Sequence, residues 1–150
     1  MRLLIRNIRI FDGKTEGRTQ DMFIRDGVIE AVGEGLSEEK DTEIWGSADH
    51  PLCVSPGWLD VGTHTCDPGF EHREDLLSAA RAAAAGGFTA LACFPNTHPA
   101  IASKSEVLYV KNKTAASPVT FYPVGAVSEN CEGKDLAELF DMHTAGAIAF

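Results

Sequence analysis

Residues 57–94 read GWLDVGTHTCDPGFEHREDLLSAARAAAAGGFTALACF, and this stretch decides the fold. It begins with a short apolar run, GWLDVGTHT, which is typical of a buried strand. REDLLSAARAAAAGG predicts a helix that ends at Gly86 and Gly87. FTALACF is continuously apolar, as in a parallel sheet that is covered on both faces. Strand, helix and strand in this order predict a parallel β-α-β unit with a right-handed crossover. The predicted apolar face of the helix consists of Leu76, Leu77, Ala80, Ala83 and Ala84.

The same alternation continues to the end of the chain. SKSEVLYVKNKTAA predicts a second helix, because Ser103 and Glu106 have capping-box spacing. VTFYPVGAV predicts a third strand, KDLAELFDMHTAG a third helix, and AIAF the start of a fourth strand. Two architectures fit this α/β pattern: a doubly wound open sheet and a (β/α)8 barrel, both of which bind ligands at the carboxyl ends of the strands. The third helix should have one side formed by Leu136, Leu139, Phe140 and His143.

The residues before Pro56 predict a different kind of structure. RLLIRNIRIF and TEIWG have the composition of short strands, and MFIRDGVIEAV predicts a hairpin. In that hairpin Asp26 and Gly27 suit the two central positions of a type I′ turn. We therefore predict a small antiparallel β-sandwich segment over residues 1–55 and an α/β segment over residues 56–150.

Composition narrows the class of protein. The chain has 150 residues and a net charge of -9, with 22 acidic against 13 basic residues, so a nucleic acid or an anionic membrane is not expected as a partner. No apolar run approaches the ~20 residues of a membrane helix, and the amino terminus does not have the pattern of a signal peptide. The cysteines lie far apart without a C-x-x-C pair, which predicts reduced thiols in a cytoplasmic protein rather than a zinc finger.

Polar residues cluster where the first strand ends. Side chains at i and i+2 on a strand share a face, which would direct residues 60, 62, 64 and 66 to one side. A metal site would need imidazoles at positions 62 and 64, but only His64 is present. His64 is either a ligand or a hydrogen-bonded packing residue, and Asp60 either orients such a ligand or satisfies nearby backbone. After the second strand, Asn96 either binds a substrate carboxylate or forms a turn.

Several motifs together resemble a known family. They are DGVIEAVG, SPGWLDVGTHTCDPGFEHRED, AAAAGGFTALACFPNTHPAI and GAVSENCEGKDLAELFDMHTAGAIAF. The chain resembles the amino-terminal part of dihydroorotases, which are cyclic amidohydrolases of the amidohydrolase superfamily. The resemblance implies a (β/α)8 barrel, of which residues 56–150 would form the first three to four β/α units, flanked by a small β domain. It also implies the zinc-dependent, reversible hydrolysis of dihydroorotate to carbamoyl-aspartate in pyrimidine biosynthesis.

The resemblance assigns roles residue by residue. The family motif is D-x-H-x-H followed by a hydrophobic residue and Arg. Asp60 matches the Asp, and His64 matches the second metal-binding His. Gly62 replaces the first metal-binding His, and Cys66 replaces the Arg that binds the substrate carboxylate. Asn96 matches the Asn that binds the same carboxylate. The proton-shuttle aspartate comes from a late barrel strand, so the resemblance places no catalytic residue within this chain.

These departures leave three hypotheses. The first is a catalytically impaired pseudoenzyme that needs no metal and serves as a structural subunit, as a homo-oligomer or beside aspartate transcarbamoylase. The second is an active cyclic amidohydrolase with an altered zinc site, which completes its ligands from beyond Phe150. The third is a small doubly wound α/β binding domain. Because the chain stops inside the expected fourth strand, we expect it to be a segment of a longer protein or to depend on a partner.

Overall fold

The computed structural model describes residues 1–13, 18–47, 49 and 51–150. The chain folds into two compact units, Met1–Pro56 and Gly57–Phe150. In the described part of the chain, no helix is both long enough and apolar enough to cross a membrane.

The first unit is a single five-stranded sheet. Its strands are β1 (Arg2–Ile10), β2 (Thr19–Arg25), β3 (Val28–Gly33), β4 (Glu43–Trp45) and β5 (Cys53–Val54). The order is β3-β2-β1-β4, with β5 also paired to β1. β2 is antiparallel to β1 and β3, but β4 and β5 run parallel to β1. The prediction of a purely antiparallel sheet is therefore wrong, because strand patterns in a sequence do not show which neighbour a later strand will join.

The predicted hairpin is confirmed. Arg25 pairs with Val28, so the connection between β2 and β3 is the two-residue turn Asp26-Gly27. Both residues have positive φ, at 49° and 82°. A type I′ turn requires this conformation at both central positions.

The second unit contains a three-stranded parallel sheet and three helices. Its strands are β6 (Trp58–Thr63), β7 (Phe88–Cys93) and β8 (Thr120–Pro123), in the order β6-β7-β8. Its helices are α1 (Leu76–Ala85), α2 (Lys104–Lys113) and α3 (Leu139–Ala145), with a 3-10 turn at Glu129–Cys131. Both strand pairs are parallel, which confirms the predicted β-α-β units.

The helix caps agree with the sequence signals. Asp75 caps α1, and its carboxylate accepts hydrogen bonds from the backbone N–H groups of Leu77 and Ser78, both at 2.8 Å. Ser103 caps α2, and its backbone N–H donates to Glu106 Oε2 at 2.9 Å, which confirms the capping box. Each such cap stabilises a helix by about 1 kcal/mol.

The apolar faces of two helices differ from the prediction. In α1, Leu76, Ala80 and Ala83 are buried, but Leu77 and Ala84 are exposed. The buried stripe of α1 is completed by Ala79 instead, so the helix is rotated relative to the predicted face.

α3 begins later than predicted. Ser128 bridges to Leu136, which keeps the preceding residues outside the helix. As a result Phe140 and Leu136 are 80% and 71% exposed, His143 is exposed, and Leu139 alone of the predicted side is partly buried. The buried face is formed by Met142 and Ala145. AIAF does not form a strand, although Ala149 makes an isolated parallel bridge to Val124.

Candidate functional site

The loops that follow β6 and β7 lie against each other at the carboxyl ends of the parallel strands. The backbone N–H of Phe94 donates to Thr63 O at 3.0 Å, and that of His98 donates to Pro68 O at 2.9 Å. Two backbone hydrogen bonds thus join the loops, and the residues they carry share one edge of the sheet. Parallel α/β folds bind ligands at this edge.

The structure brings two predicted site residues together. His64 Nδ1 lies 3.1 Å from Asn96 Oδ1, and both side chains are exposed. If the amide oxygen accepts this hydrogen bond, Nδ1 carries the proton and the lone pair of Nε2 is free. Metal-binding histidines are commonly oriented in this way by an oxygen that accepts from the second ring nitrogen.

Asp60 does not join this pair. Its Oδ2 accepts a hydrogen bond from Thr63 Oγ1 at 2.8 Å, and the carboxylate is exposed. The predicted common face of residues 60 to 66 does not form either, because β6 ends at Thr63 and its register with β7 shifts between Val61 and Thr63. Gly62, between them, has a φ of +109°, which interrupts the alternation of side chains along the strand.

The space beside Gly62 is filled by Phe94. A Cβ atom built on Gly62 would lie 2.9 Å from Phe94 Cζ and 3.2 Å from Phe94 Cε2, so any larger residue displaces the ring. The same ring packs edge-on against the imidazole of His64, with 5.2 Å between the ring centroids. An aromatic side chain therefore lies where an imidazole at position 62 would need room.

The residues present do not fit a complete metal centre. Among the described residues, no three His, Cys, Asp or Glu side chains are grouped closely enough to hold a metal ion. A structural zinc has four protein ligands and a catalytic zinc at least three. His64 is the one imidazole of the motif, and Cys66 has a φ of 56° in the turn beyond it. A metal at this edge would need ligands from outside this stretch.

The turn that follows His64 in the same loop is firmly anchored. Asp67 is fully buried, and its carboxylate accepts hydrogen bonds from Lys113 Nζ at 2.7 Å, Tyr109 OH at 2.8 Å and the backbone N–H of Leu76 at 3.2 Å. Burial raises the pKa of Asp67, but the hydrogen bonds from Lys113 and Tyr109 outweigh it and hold that pKa below its ordinary value. The same contact raises the pKa of Lys113.

The sequence patterns did not predict this network. Its partners lie 42 and 46 residues further along the chain. A weak signal exists in the spacing of Tyr109 and Lys113, which are four residues apart and so lie on one face of α2. Lys113 Nζ also donates to Tyr109 OH at 2.8 Å, which fixes both groups over the carboxylate.

Gly69 allows the two loops to approach closely. Its φ is +98°, and a Cβ atom on it would lie 2.0 Å from the carbonyl oxygen of His98. The rings of Phe70 and His98 pack beside this contact at a tilt of 40°, with centroids 6.3 Å apart. Only glycine fits this position without a movement of the backbone.

Comparison with known proteins agrees with the sequence motifs. The family model described as dihydro-orotase-like matches residues 52–150. The curated dihydroorotase of Syntrophotalea carbinolica is 43% identical over 152 residues, which cover 99% of this chain and 35% of that protein. The dihydroorotase of Geotalea daltonii is 38% identical over 151 residues, with the same coverage. The chain thus spans about a third of the length of the curated relatives it matches.

Solved structures give the same fold. The L-hydantoinase (dihydropyrimidinase) of Arthrobacter aurescens superposes with a TM-score of 0.74 at 22% identity, over 99% of this chain and 32% of that one. A dihydroorotase superposes with a TM-score of 0.63 at 18% identity, over 99% and 41% of the two chains. Because the family model covers most of the residues, including both loops of the site, the chain belongs to the dihydroorotase-like family.

Proposed function

We propose that this chain is part of a dihydroorotase-like protein that no longer hydrolyses dihydroorotate and acts as a structural, non-catalytic subunit. The observation that carries the proposal is the glycine at position 62, where the family motif has its first metal-binding His. Position 62 offers no imidazole, and the phenyl ring lies within 2.9 Å of where a side chain there would begin. Hydrolysis of a stable cyclic amide at neutral pH requires a strongly activated water and a polarised carbonyl, which a metal centre supplies in this family.

Substrate binding is weakened at a second position. Cys66 stands where the family motif has an arginine, and a thiol cannot form the two parallel charged hydrogen bonds that a guanidinium makes to a carboxylate. Hydrogen bonds to charged groups contribute about 1.5–3 kcal/mol, which corresponds to roughly a 10- to 150-fold loss of affinity. Asn96 remains as a neutral donor through Nδ2, since its 3.1 Å contact with His64 uses Oδ1.

We place Gly57–Phe150 in the first three to four units of a (β/α)8 barrel. The order β6-β7-β8 adds each strand on the same side of the previous one, and the Val124–Ala149 bridge continues on that side. A barrel grows in this manner, whereas a doubly wound sheet reverses its strand order. The four cysteines are all free thiols, which supports our proposal that the protein works in the cytoplasm.

One observation favours a second candidate, an active cyclic amidohydrolase with an altered zinc site. Donation of a hydrogen bond from His64 Nδ1 to Asn96 would leave Nε2 free, as in a metal-binding histidine. In that case His64 would hold the zinc together with ligands from the remainder of the protein. The two candidates differ in turnover, so one assay separates them.

The test is hydrolysis of dihydroorotate, and cyclisation of carbamoyl-aspartate, by the protein of the complete reading frame with zinc supplied. We expect no turnover from the natural protein. The double variant that combines Gly62→His with Cys66→Arg should show at most weak turnover, because the new imidazole must first displace the Phe94 ring. Adding Phe94→Ala to that pair should permit activity.

Two controls keep this test interpretable. Phe94→Ala alone should remain inactive, because it opens space without supplying a ligand. Circular dichroism and unfolding curves of each variant verify that an inactive protein is folded. Turnover by the natural protein that disappears in His64→Ala would overturn the proposal and establish the second candidate.

A further inference from the structure

We propose that Lys113 of α2 is a positioning residue for the candidate site, which acts through Asp67 to hold together the two loops that carry His64 and Asn96. Its Nζ donates to Asp67 and to Tyr109 rather than to either site residue. The inference concerns the geometry of the zinc-free site and is independent of whether the protein hydrolyses dihydroorotate.

The first step links Asp67 to the loop that carries His64. Burial alternates along this loop: Thr65 and Asp67 are buried, whereas His64 is exposed and Cys66 is partly buried. The hydroxyl of Thr65 has no hydrogen-bond partner in the described part of the chain. The side-chain hydrogen bonds on the buried side of this stretch therefore all come from Asp67, and they fix how the loop leaves β6.

The second step links Asp67 to the loop that carries Asn96. The carbonyl oxygen of Pro68, the next residue, accepts a hydrogen bond from the backbone N–H of His98 at 2.9 Å. The second loop is itself constrained, because Thr97 Oγ1 donates to the carbonyl oxygen of the residue after His98 at 2.8 Å. A shift of Asp67 would therefore move Pro68, and with it the loop that carries Asn96.

The third step is the charge of Lys113. Asp67 receives two other hydrogen bonds, from the Tyr109 hydroxyl and the backbone N–H of Leu76, and both donors are neutral. A buried carboxylate without a cation is costly, and it is stabilised by gaining a proton or by moving towards water. Asp67 is fully buried by this part of the chain alone, so the contact does not depend on what covers the surface of the complete protein.

α2 carries a second lysine that provides a matched control. Lys111 and Lys113 both lie in the last turn of the helix. Lys111 Nζ donates to the carbonyl oxygen of Ala145, the last residue of α3, at 3.1 Å. The two lysines thus make long-range contacts from the same turn, but Lys111 contacts the helix that follows and Lys113 contacts the loop of the candidate site.

The experiment measures the tautomer of His64 by ¹⁵N NMR of the complete, zinc-free protein with labelled histidine, at a pH where the ring is neutral. The His64 signals are assigned with a His64→Gln variant. We expect the proton on Nδ1 in the natural protein, because Asn96 Oδ1 accepts from that nitrogen. In Lys113→Met the ratio of the Nδ1–H to the Nε2–H tautomer should fall roughly 2- to 10-fold, as expected for the loss of one neutral hydrogen bond.

Two further variants separate positioning from general stability. Lys113→Arg keeps a charged N–H donor and should retain most of the natural tautomer ratio. Lys111→Met removes the contact with α3 and should leave the ratio unchanged. An equal change in Lys111→Met and Lys113→Met would overturn the proposal, because the site would then respond to any loss of stability.

The remaining outcomes are also decisive. A folded Lys113→Met protein with the natural ratio, or a natural protein without a preference for Nδ1–H, would overturn the proposal. If Lys113→Met does not fold, Tyr109→Phe removes one neutral donor to Asp67 and should lower the ratio by a smaller factor, and an unchanged ratio there would overturn it. Turnover of dihydroorotate by the natural protein would overturn the proposed function and leave this inference intact.

Discussion

The end of β6 and the turn that follows it differ sharply in what their side chains do. In the first stretch, Gly62 has no side chain, and the His64 ring has one hydrogen-bond partner among the described residues. In the second stretch, three donors satisfy Asp67, and Gly69 packs directly against the neighbouring loop. The hydrogen bonds that hold the loop in place are complete, whereas the described residues do not supply the ligands that a metal centre would need. Residues that stabilise a fold and residues that catalyse a reaction can therefore be kept or lost independently, even within one short stretch of chain.

The largest effect is expected where the loop is anchored. Lys113→Met leaves the buried carboxylate of Asp67 without its cation. We expect a loss of about 3 kcal/mol in the free energy of unfolding, the lower limit for breaking a buried ion pair, because Lys113 is 34% exposed. Urea unfolding of the natural protein and of the variant measures this loss. Lys134→Met removes a pair with 74% and 52% exposed side chains and should cost less than about 1 kcal/mol. Equal losses in the two variants would show that the anchor is unimportant.

The same contact predicts a dependence on pH. The pKa of Asp67 is lower in the folded protein than in the unfolded chain, where it is about 3.9. Its contribution is therefore fully present above that value and is lost as the pH falls through the folded pKa. The difference in melting temperature between the natural protein and Lys113→Met should be largest near neutral pH and shrink in acid, because protonation of Asp67 removes the charge that Lys113 neutralises. A difference that persists in acid would contradict this assignment.

A smaller effect is expected where the two loops touch. Gly69→Ala combines a positive φ with a Cβ atom 2.0 Å from a backbone oxygen, and neither can be relieved by a side-chain rotation. We expect a loss of about 2–3 kcal/mol in unfolding free energy. Gly133→Ala is the matched control, because its φ is +71° and nothing lies within 4 Å of the new atom. This control should lower the free energy of unfolding by only about 1 kcal/mol, which is the cost of a positive φ for a residue with a Cβ atom.

The smallest effect is expected at Gly62, near the end of β6. Gly62→Ala meets the tip of the Phe94 side chain rather than backbone, so the ring can rotate away. We expect a loss of about 1–2 kcal/mol, mainly from the positive φ. In a double-mutant cycle, Phe94→Ala should relieve the remaining part of this loss. A loss at Gly62 as large as that at Gly69 would remove the contrast between the two positions.

Local patterns predicted much of the fold. The Asp26-Gly27 turn and the Ser103–Glu106 capping box depend on neighbours a few residues apart, and both formed as expected. Pairing of β4 with β1 and the Asp67–Lys113 contact join residues 40 or more apart, and no local pattern predicts that such residues meet. The start of α3 was predicted too early in the chain, because the Ser128–Leu136 bridge competes with the helix.

Only part of the candidate site could be predicted from the sequence, for the same reason. The motif located His64 and Asn96, and the structure brings them within 3.1 Å. The position of Phe94 over Gly62 could not be predicted, because it depends on the positive φ of Gly62 and on the packing of two loops. An imidazole at position 62 would therefore have to displace the Phe94 ring.

The zinc content of the complete protein tests the central claim most directly. After incubation with zinc and dialysis, we expect the natural protein to hold well under one zinc per chain. The variant that combines Gly62→His, Cys66→Arg and Phe94→Ala should hold more. One or two tightly bound zinc ions in the natural protein, lost on His64→Ala, would contradict the account and show that His64 completes a working metal centre despite Gly62.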